Sequence, residues 1–124
     1  MSKNAQPVSH YSVTNVCQLH HVLVAVDDSL GEPGKIVGMA TLVVIEQFVG
    51  VRGRIEDVVV DQDYRKQGIG RELVLRLHEA AKERRVKMIT LSSQQYRTEA
   101  NRLYVSIGYK PVDTNVYVFE LPKD

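Results

Sequence analysis

The sequence predicts a mixed α/β domain. Three apolar, β-branched runs precede residue 61, and an amphipathic helical stripe follows Gly70. A strand-like run then returns before a second helical segment. The implied order is β-β-β-α-β-α-β, with no internal repeat, low-complexity tract or linker.

The first half of the chain reads as strands separated by turns. The apolar runs occupy residues 20–27, 36–48 and 54–60. Residues 27–34, rich in Asp, Gly and Pro, and residues 50–53, which begin and end with glycine, supply the breaks. We expect two or three antiparallel strands in this half.

The segment after Gly70 has the period of a helix. Its apolar stripe consists of Leu73, Val74, Leu77, Ala80 and Ala81. This helix is expected to run to about Arg85, and strand character returns at residues 86–91. A strand, a helix and a strand in succession predict two parallel neighbouring strands.

The C-terminal part predicts one more helix and one more strand. Residues 98–107 have helical character, with Thr98 as an N-cap and Gly108 as the terminator. Residues 109–121 have strand character that Pro111 interrupts.

Composition restricts the class of protein. A chain of 124 residues with 44% hydrophobic and 25% charged residues has the composition of one soluble domain. The formal charge of +1 gives no field that favours nucleic acid or an anionic membrane. Cys17 is the only cysteine, which excludes an internal disulfide and fits a cytoplasmic setting. We expect no signal peptide and no transmembrane segment.

The junction between a buried strand and the first helix has the pattern of an anion site. After Val58, Val59 and Val60, residues 65–70 read RKQGIG and open the helix. Glycine lets the backbone approach an anion closely, and the first amides of a helix point outward. The cations Arg65, Lys66 and Arg71 suit two linked phosphates. The alternative is a tight turn with solvated basic residues, since short glycine motifs match by chance.

Two motifs in order resemble one family. Residues 65–70 match the RxxGxG coenzyme A loop of the GNAT N-acetyltransferases, and residues 100–109 are similar to their ANxLYxxxGF element. The resemblance covers residues 20–121. The segment IEDVVV at residues 55–60 is similar to glucosamine 6-phosphate N-acetyltransferases, and bacterial GNAT proteins of unassigned substrate also carry it together with NVY, here residues 115–117.

The resemblance implies a GNAT acyltransferase fold, with a twisted mixed sheet flanked by helices and a shortened N-terminal part. Residues 1–19 would form a short segment with room for one strand, and residues 20–124 the acetyltransferase domain. The implied co-substrate is acetyl-CoA, with no metal. The implied acceptor is a small-molecule or peptide amine, and the protein is expected to be a homodimer.

The resemblance also implies roles for particular residues. Tyr104 would give a proton to the leaving thiolate. Glu56 would accept the proton of the amine or, together with Asp57, bind the amino group as a cation. The coenzyme-binding residues would be Val58, Val59, Val60, Arg65, Lys66, Gln67, Gly68, Ile69, Gly70, Arg71, Asn101 and Tyr104. The alternatives are that Tyr104 continues an apolar core stripe, that Glu56 lies on a solvent face and that Asn101 is an ordinary early-helix residue.

The sequence also departs from the family pattern. About 19 residues precede the first strand-like run, too few for the two helices that usually wall the acceptor site. Ser92 and Ser93 stand where glucosamine 6-phosphate enzymes carry an acidic residue. Either a partner subunit completes the pocket or the acceptor is large. A coenzyme A-binding sensor without turnover and a ligand-free interaction domain are therefore alternative functions.

Overall fold

The structure, a computed structural model, describes residues 11–16, 20–29 and 31–123. The chain divides into two compact units, Met1–Ser92 and Ser93–Asp124. The first unit contains the sheet and the first helix, and the second contains the second helix. Cys17 lies outside the described residues.

One five-stranded mixed sheet organises the first unit. The strands are β1 (Tyr11–Asn15), β2 (His21–Asp27), β3 (Lys35–Gln47), β4 (Gly50–Val60) and β5 (Met88–Thr90). They lie in chain order across the sheet; β1 to β4 pair antiparallel, and β4 pairs with β5 in parallel. The predicted mixed α/β class and the parallel crossover are both confirmed.

Helix α1 (Ile69–Glu83) makes the crossover from β4 to β5. It follows a single 3-10 turn at Gln62–Tyr64 and packs across β2, β3 and β4. Its buried residues are Ile69, Leu73, Val74, Leu77 and Ala81, close to the predicted stripe. The helix ends at Glu83 rather than Arg85, because Arg85 has a φ of 59°, outside helical geometry.

Close contact between α1 and β3 fixes the position of the helix. A Cβ atom built on Gly38 would lie 3.2 Å from Leu73 Cδ1 and 3.3 Å from Ile69 Cγ2. A larger residue at position 38 would therefore push the first turns of α1 away from the sheet. This contact sets where the N-terminus of α1 lies relative to the end of β4.

In the first half, one expected break is wrong and the strand for which the N-terminal segment had room is present. The break expected at residues 50–53 is wrong, because the chain turns at Phe48 and Val49 and β4 already begins at Gly50. Gly53 lies within the ladder, paired with Val44. Tyr11–Asn15 forms a strand in the N-terminal segment, where the sequence left room for one.

The second unit contains α2 (Thr98–Ile107), whose bounds match the prediction. The N-cap prediction is wrong, because Arg97 rather than Thr98 occupies that position and no side chain caps this helix end. The predicted terminator is confirmed, since Gly108 lies at the C-cap with a φ of 125°. The strand predicted at residues 109–121 is also wrong, since residues 109–123 have no regular secondary structure. A strand needs a neighbour for its N–H and C=O groups, and the described residues of the second unit supply none.

None of the helices in the described part of the chain is both long enough and apolar enough to span a bilayer.

The packing of α1 predicts different costs for two leucines on the same helix. Leu73 is fully buried, whereas Leu75 is 39% exposed. Leu73→Ala should lower the free energy of unfolding by about 2–5 kcal/mol, because it leaves a cavity against β3. Leu75→Ala, the matched control, should cost about 0.5 kcal/mol. Chemical denaturation measures both, and equal losses would contradict the packing described.

Candidate active site

The parallel strands β4 and β5 pair over only three residues. Arg52, Gly53 and Arg54 pair with residues 88–90, and β5 then ends at Thr90. From Ile55 onward, no strand in the described chain pairs with this edge of β4. The last six residues of β4 therefore present one edge whose backbone groups can bind an extended ligand.

A β-bulge interrupts β4 along the same stretch. Between the pairs formed by residues 41 and 56 and by residues 39 and 59, Ala40 alone faces Asp57 and Val58. Asp57 has a φ of 57°, in the left-handed region that asparagine and aspartate visit more readily than most residues. A bulge of this kind bends its strand and is common beside active sites.

The bulge also changes which side chains face the core. Ile55 is buried, and strict alternation would place Asp57 and Val59 on its face. Instead Asp57 is exposed and Val59 is 54% exposed, whereas Val58 and Val60 are half-buried. The extra residue shifts the alternation by one, which keeps the Asp57 carboxylate out of the core.

Glu56 forms an ion pair that the sequence reasoning missed. Arg54, two residues earlier on the same face of β4, donates from Nε to Glu56 Oε1. Arg54 Nη2 also donates to Ser92 Oγ at 2.9 Å. The i, i+2 spacing of Arg54 and Glu56 was the signal that could have revealed this pair.

The loop before α1 has an unusual backbone. Lys66 and Gly68 have φ angles of 64° and 81°, both in the left-handed region. A Cβ atom at Gly68 would meet no atom within 4 Å. Glycine is therefore favoured here by the left-handed backbone conformation and not by a lack of space. Helix α1 then begins at Ile69, with the first-turn amides at its positive end.

The charges around this loop favour an anion. Arg65, Lys66 and Arg71 are all exposed. Glu72, in the first turn of α1, is paired with Arg76 at 2.9 Å, which offsets its negative charge. Gln67 is half-buried, as is Gly70. The structure thus places the predicted residues 65–71 in one continuous loop and helix start, separated from β4 by the 3-10 turn.

Tyr104 belongs to the second unit. Its side chain is 7% exposed, and its ring packs edge-to-face with that of Tyr109 at a centroid distance of 6.0 Å. Burial raises the pKa of the Tyr104 phenol, partly offset by the nearby Arg97 charge. The pKa of Tyr109 is raised to about 12, chiefly by burial. Tyr104 therefore carries its proton at neutral pH.

Asn101, in the same unit, holds the segment that precedes α2. Its Nδ2 donates to the carbonyl oxygens of Gln94 at 3.1 Å and Gln95 at 3.5 Å. The side chain therefore has a structural partner within its own unit.

Comparison with known proteins agrees with this architecture. The model of the acetyltransferase (GNAT) family matches residues 4–109. A crystal structure of a Trypanosoma brucei acetyltransferase aligns with a TM-score of 0.71 and 27% identity, covering 82% of this chain and 70% of that one.

Curated relatives match over part of their length. A UPF0039 protein of Schizosaccharomyces pombe is 43% identical over 79 residues, 62% of this chain and 49% of the relative. A glucosamine 6-phosphate N-acetyltransferase of Trypanosoma brucei brucei is 35% identical over 80 residues, 62% of this chain and 52% of that protein. The chain spans about half the length of these relatives.

The expected likeness to glucosamine 6-phosphate N-acetyltransferases is confirmed, through eukaryotic rather than specifically bacterial relatives. The family match covers most of the sequence, and the five-stranded sheet carries the glycine loop at the start of its crossover helix. The chain belongs to the acetyltransferase (GNAT) family.

Proposed function

We propose that this protein is an N-acetyltransferase that moves the acetyl group of acetyl-CoA to a primary amine by direct attack in a ternary complex. The observation that carries this proposal is the free edge of β4 leading directly into a basic, glycine-containing helix start. The first feature suits an extended amide chain, and the second suits a pyrophosphate. Acetyl-CoA contains both groups.

The coenzyme would bind along these two features. The pantetheine arm has amide groups that can pair with the backbone of Val58, Val59 and Val60, in the manner of an added strand. The pyrophosphate would lie on the amides at the start of α1, in the field of the helix dipole and of Arg65, Lys66 and Arg71. Gly68 leaves room for the phosphate oxygens.

The transfer itself needs three groups. The amine nitrogen bonds to the acetyl carbon, negative charge develops on the carbonyl oxygen, and the carbon–sulfur bond breaks. A backbone amide of β4 beyond the bulge would stabilise the oxygen. Glu56 would attract the ammonium group and accept its proton at Oε2, directly or through water, with Asp57 adding negative charge nearby. Tyr104 would give its phenolic proton to the departing thiolate, and the second proton lost by the nitrogen would restore the phenol, directly or through water.

The second candidate is a coenzyme A-binding sensor that turns over slowly or not at all. The Arg54–Glu56 ion pair favours it, because a carboxylate engaged by a guanidinium is less available to the amine. Both candidates predict coenzyme binding. They differ only in acetyl transfer.

We further propose a homodimer. Large apolar side chains are exposed between residues 112 and 121, among them Val116, Val118 and Phe119. A second subunit would cover such a surface and would also supply a wall for the acceptor site.

Calorimetric titration with acetyl-CoA, followed by a thiol-release assay across a panel of amines, tests the function. Glucosamine 6-phosphate is the first acceptor to try, since it is named for the trypanosomal relative. We expect binding and amine-dependent thiol release. Binding without release for every amine would favour the sensor, and no binding would overturn both candidates.

The loop assignment predicts that a carboxylate at Gly68 excludes the coenzyme. Gly68→Asp should weaken acetyl-CoA binding by about 100-fold or more, because it places a like charge at the pyrophosphate. Gly31→Asp is the matched control: Gly31 also has a positive φ, 97°, and open space at Cβ, but lies in the β2–β3 loop. Calorimetry should show wild-type affinity for the control, and an unchanged affinity in Gly68→Asp would remove the loop assignment.

The acid role predicts a kinetic loss at Tyr104. Tyr104→Phe should lower kcat on the order of 100-fold and leave coenzyme affinity unchanged, because the proton is needed only as the thiolate leaves. Tyr96→Phe, an exposed tyrosine of the same unit, should behave as wild type. Thermal melting of both variants separates a loss of chemistry from a loss of folding. An unaltered kcat in Tyr104→Phe would exclude the acid role.

A further inference from the structure

A buried carboxylate lies outside the groups assigned so far. Asp27, at the end of β2, is 4% exposed. It accepts hydrogen bonds from the Ser29 amide at 2.9 Å, the Ser29 hydroxyl at 2.6 Å and the Tyr64 hydroxyl at 2.7 Å. A buried carboxylate is costly unless donors satisfy it, and here three do.

Tyr64 connects this carboxylate to the loop before α1. It is the last residue of the 3-10 turn and immediately precedes Arg65. Its amide donates to the Asp61 carbonyl at 2.9 Å, and Asp61 Oδ1 accepts the Asp63 amide at 2.9 Å. The Tyr64–Asp27 bond therefore joins two segments that are 37 residues apart, directly at the start of the loop.

The first residues of β3 hold the other end of the same turn. The Asp61 amide donates to the Val37 carbonyl at 2.7 Å. Lys35 Nζ lies 3.6 Å from Asp61 Oδ2 and 5.4 Å from the centroid of the Tyr64 ring. Residues 61–64 are thus fixed by β2 and β3, which are rigid parts of the sheet.

The protonation states suit a strong bond. Hydrogen bonds from Ser29 and Tyr64 lower the pKa of the Asp27 carboxyl, and the bond to Asp27 raises the pKa of the Tyr64 phenol. At neutral pH an ionised carboxylate therefore accepts from a neutral phenol, a charge-assisted hydrogen bond.

We propose that Asp27 and Tyr64 are positioning residues that hold the start of the coenzyme loop in its binding conformation. The inference rests on the proposed function. Only three residues separate Tyr64 from Gly68, and the loop between them must keep left-handed conformations at Lys66 and Gly68. Fixing its first residue lowers the conformational entropy that the loop would lose on binding the pyrophosphate.

This role predicts a specific pattern in Tyr64→Phe, which removes one hydroxyl and keeps the ring under Lys35. Acetyl-CoA affinity should fall about tenfold, and kcat at saturating coenzyme should stay unchanged. Amide hydrogen exchange of residues 61–68 should become faster in the protein without coenzyme, since the loop start is no longer anchored.

Two further variants make the test specific. Tyr11→Phe removes another tyrosine–carboxylate bond, from the Tyr11 hydroxyl to Glu72 Oε1 at 2.7 Å, which joins β1 to the first turn of α1. The Glu72–Arg76 ion pair, which offsets the Glu72 charge, stays in place. Tyr11→Phe should lower thermal stability without changing coenzyme affinity. Asp27→Asn should weaken affinity as Tyr64→Phe does, and the double variant should be little worse than either single one.

The outcomes separate the inference from the proposed function. If wild type does not bind acetyl-CoA, both the proposed function and the positioning role are wrong. If wild type binds, equal affinity in Tyr64→Phe overturns the positioning role alone. An equal loss of affinity in Tyr11→Phe also overturns it, because that result would reflect general loosening. A fall in kcat at saturation would assign Tyr64 to the chemistry instead.

Discussion

Loss of pairing along one edge of β4 is the constraint on which the rest of the site depends. The strand pairs on both edges for three residues, and of the next six, four pair on one edge only and two form the bulge. If β5 were longer, its backbone would occupy the hydrogen-bonding groups that we propose for the coenzyme. The bulge at Asp57 strengthens this constraint, since it bends β4 and shifts the alternation so that the charged residue faces solvent.

The position of α1 follows from the same part of the sheet. Its first turns lie against Gly38 of β3, two residues from Ala40, which faces the bulge. The end of the helix that we propose for the pyrophosphate and the free edge of β4 are therefore set by nearby positions on β3. The 3-10 turn between β4 and α1 is held by Asp27, which accepts from Tyr64, and by Lys35, which pairs with Asp61. The loop is held by the sheet even though it lies at the surface.

The sequence predicted this part of the chain well because the strand pattern of β4 changes to the helical pattern of α1 at this junction. The helical stripe of α1, the glycine loop and the parallel crossover all follow from local pattern and chain connectivity. The bulge did not, because IEDVVV reads as an uninterrupted strand and only the pairing with Ala40 reveals the extra residue. The Arg54–Ser92 and Asp27–Tyr64 bonds join residues distant in sequence, which no local pattern reports. The strand prediction for residues 109–121 was wrong for the opposite reason. Their β propensity is high, but a strand forms only beside a partner strand.

The central claim is that one ligand binds both the edge of β4 and the start of α1. Titration of ¹⁵N-labelled protein with coenzyme A, followed by amide chemical shifts, tests it most directly. The account predicts that the amides of residues 58–60 and 67–71 shift together along one saturation curve, with small changes in β1 and β2. Shifts confined to the loop would leave β4 outside the site, and shifts centred elsewhere would contradict the account.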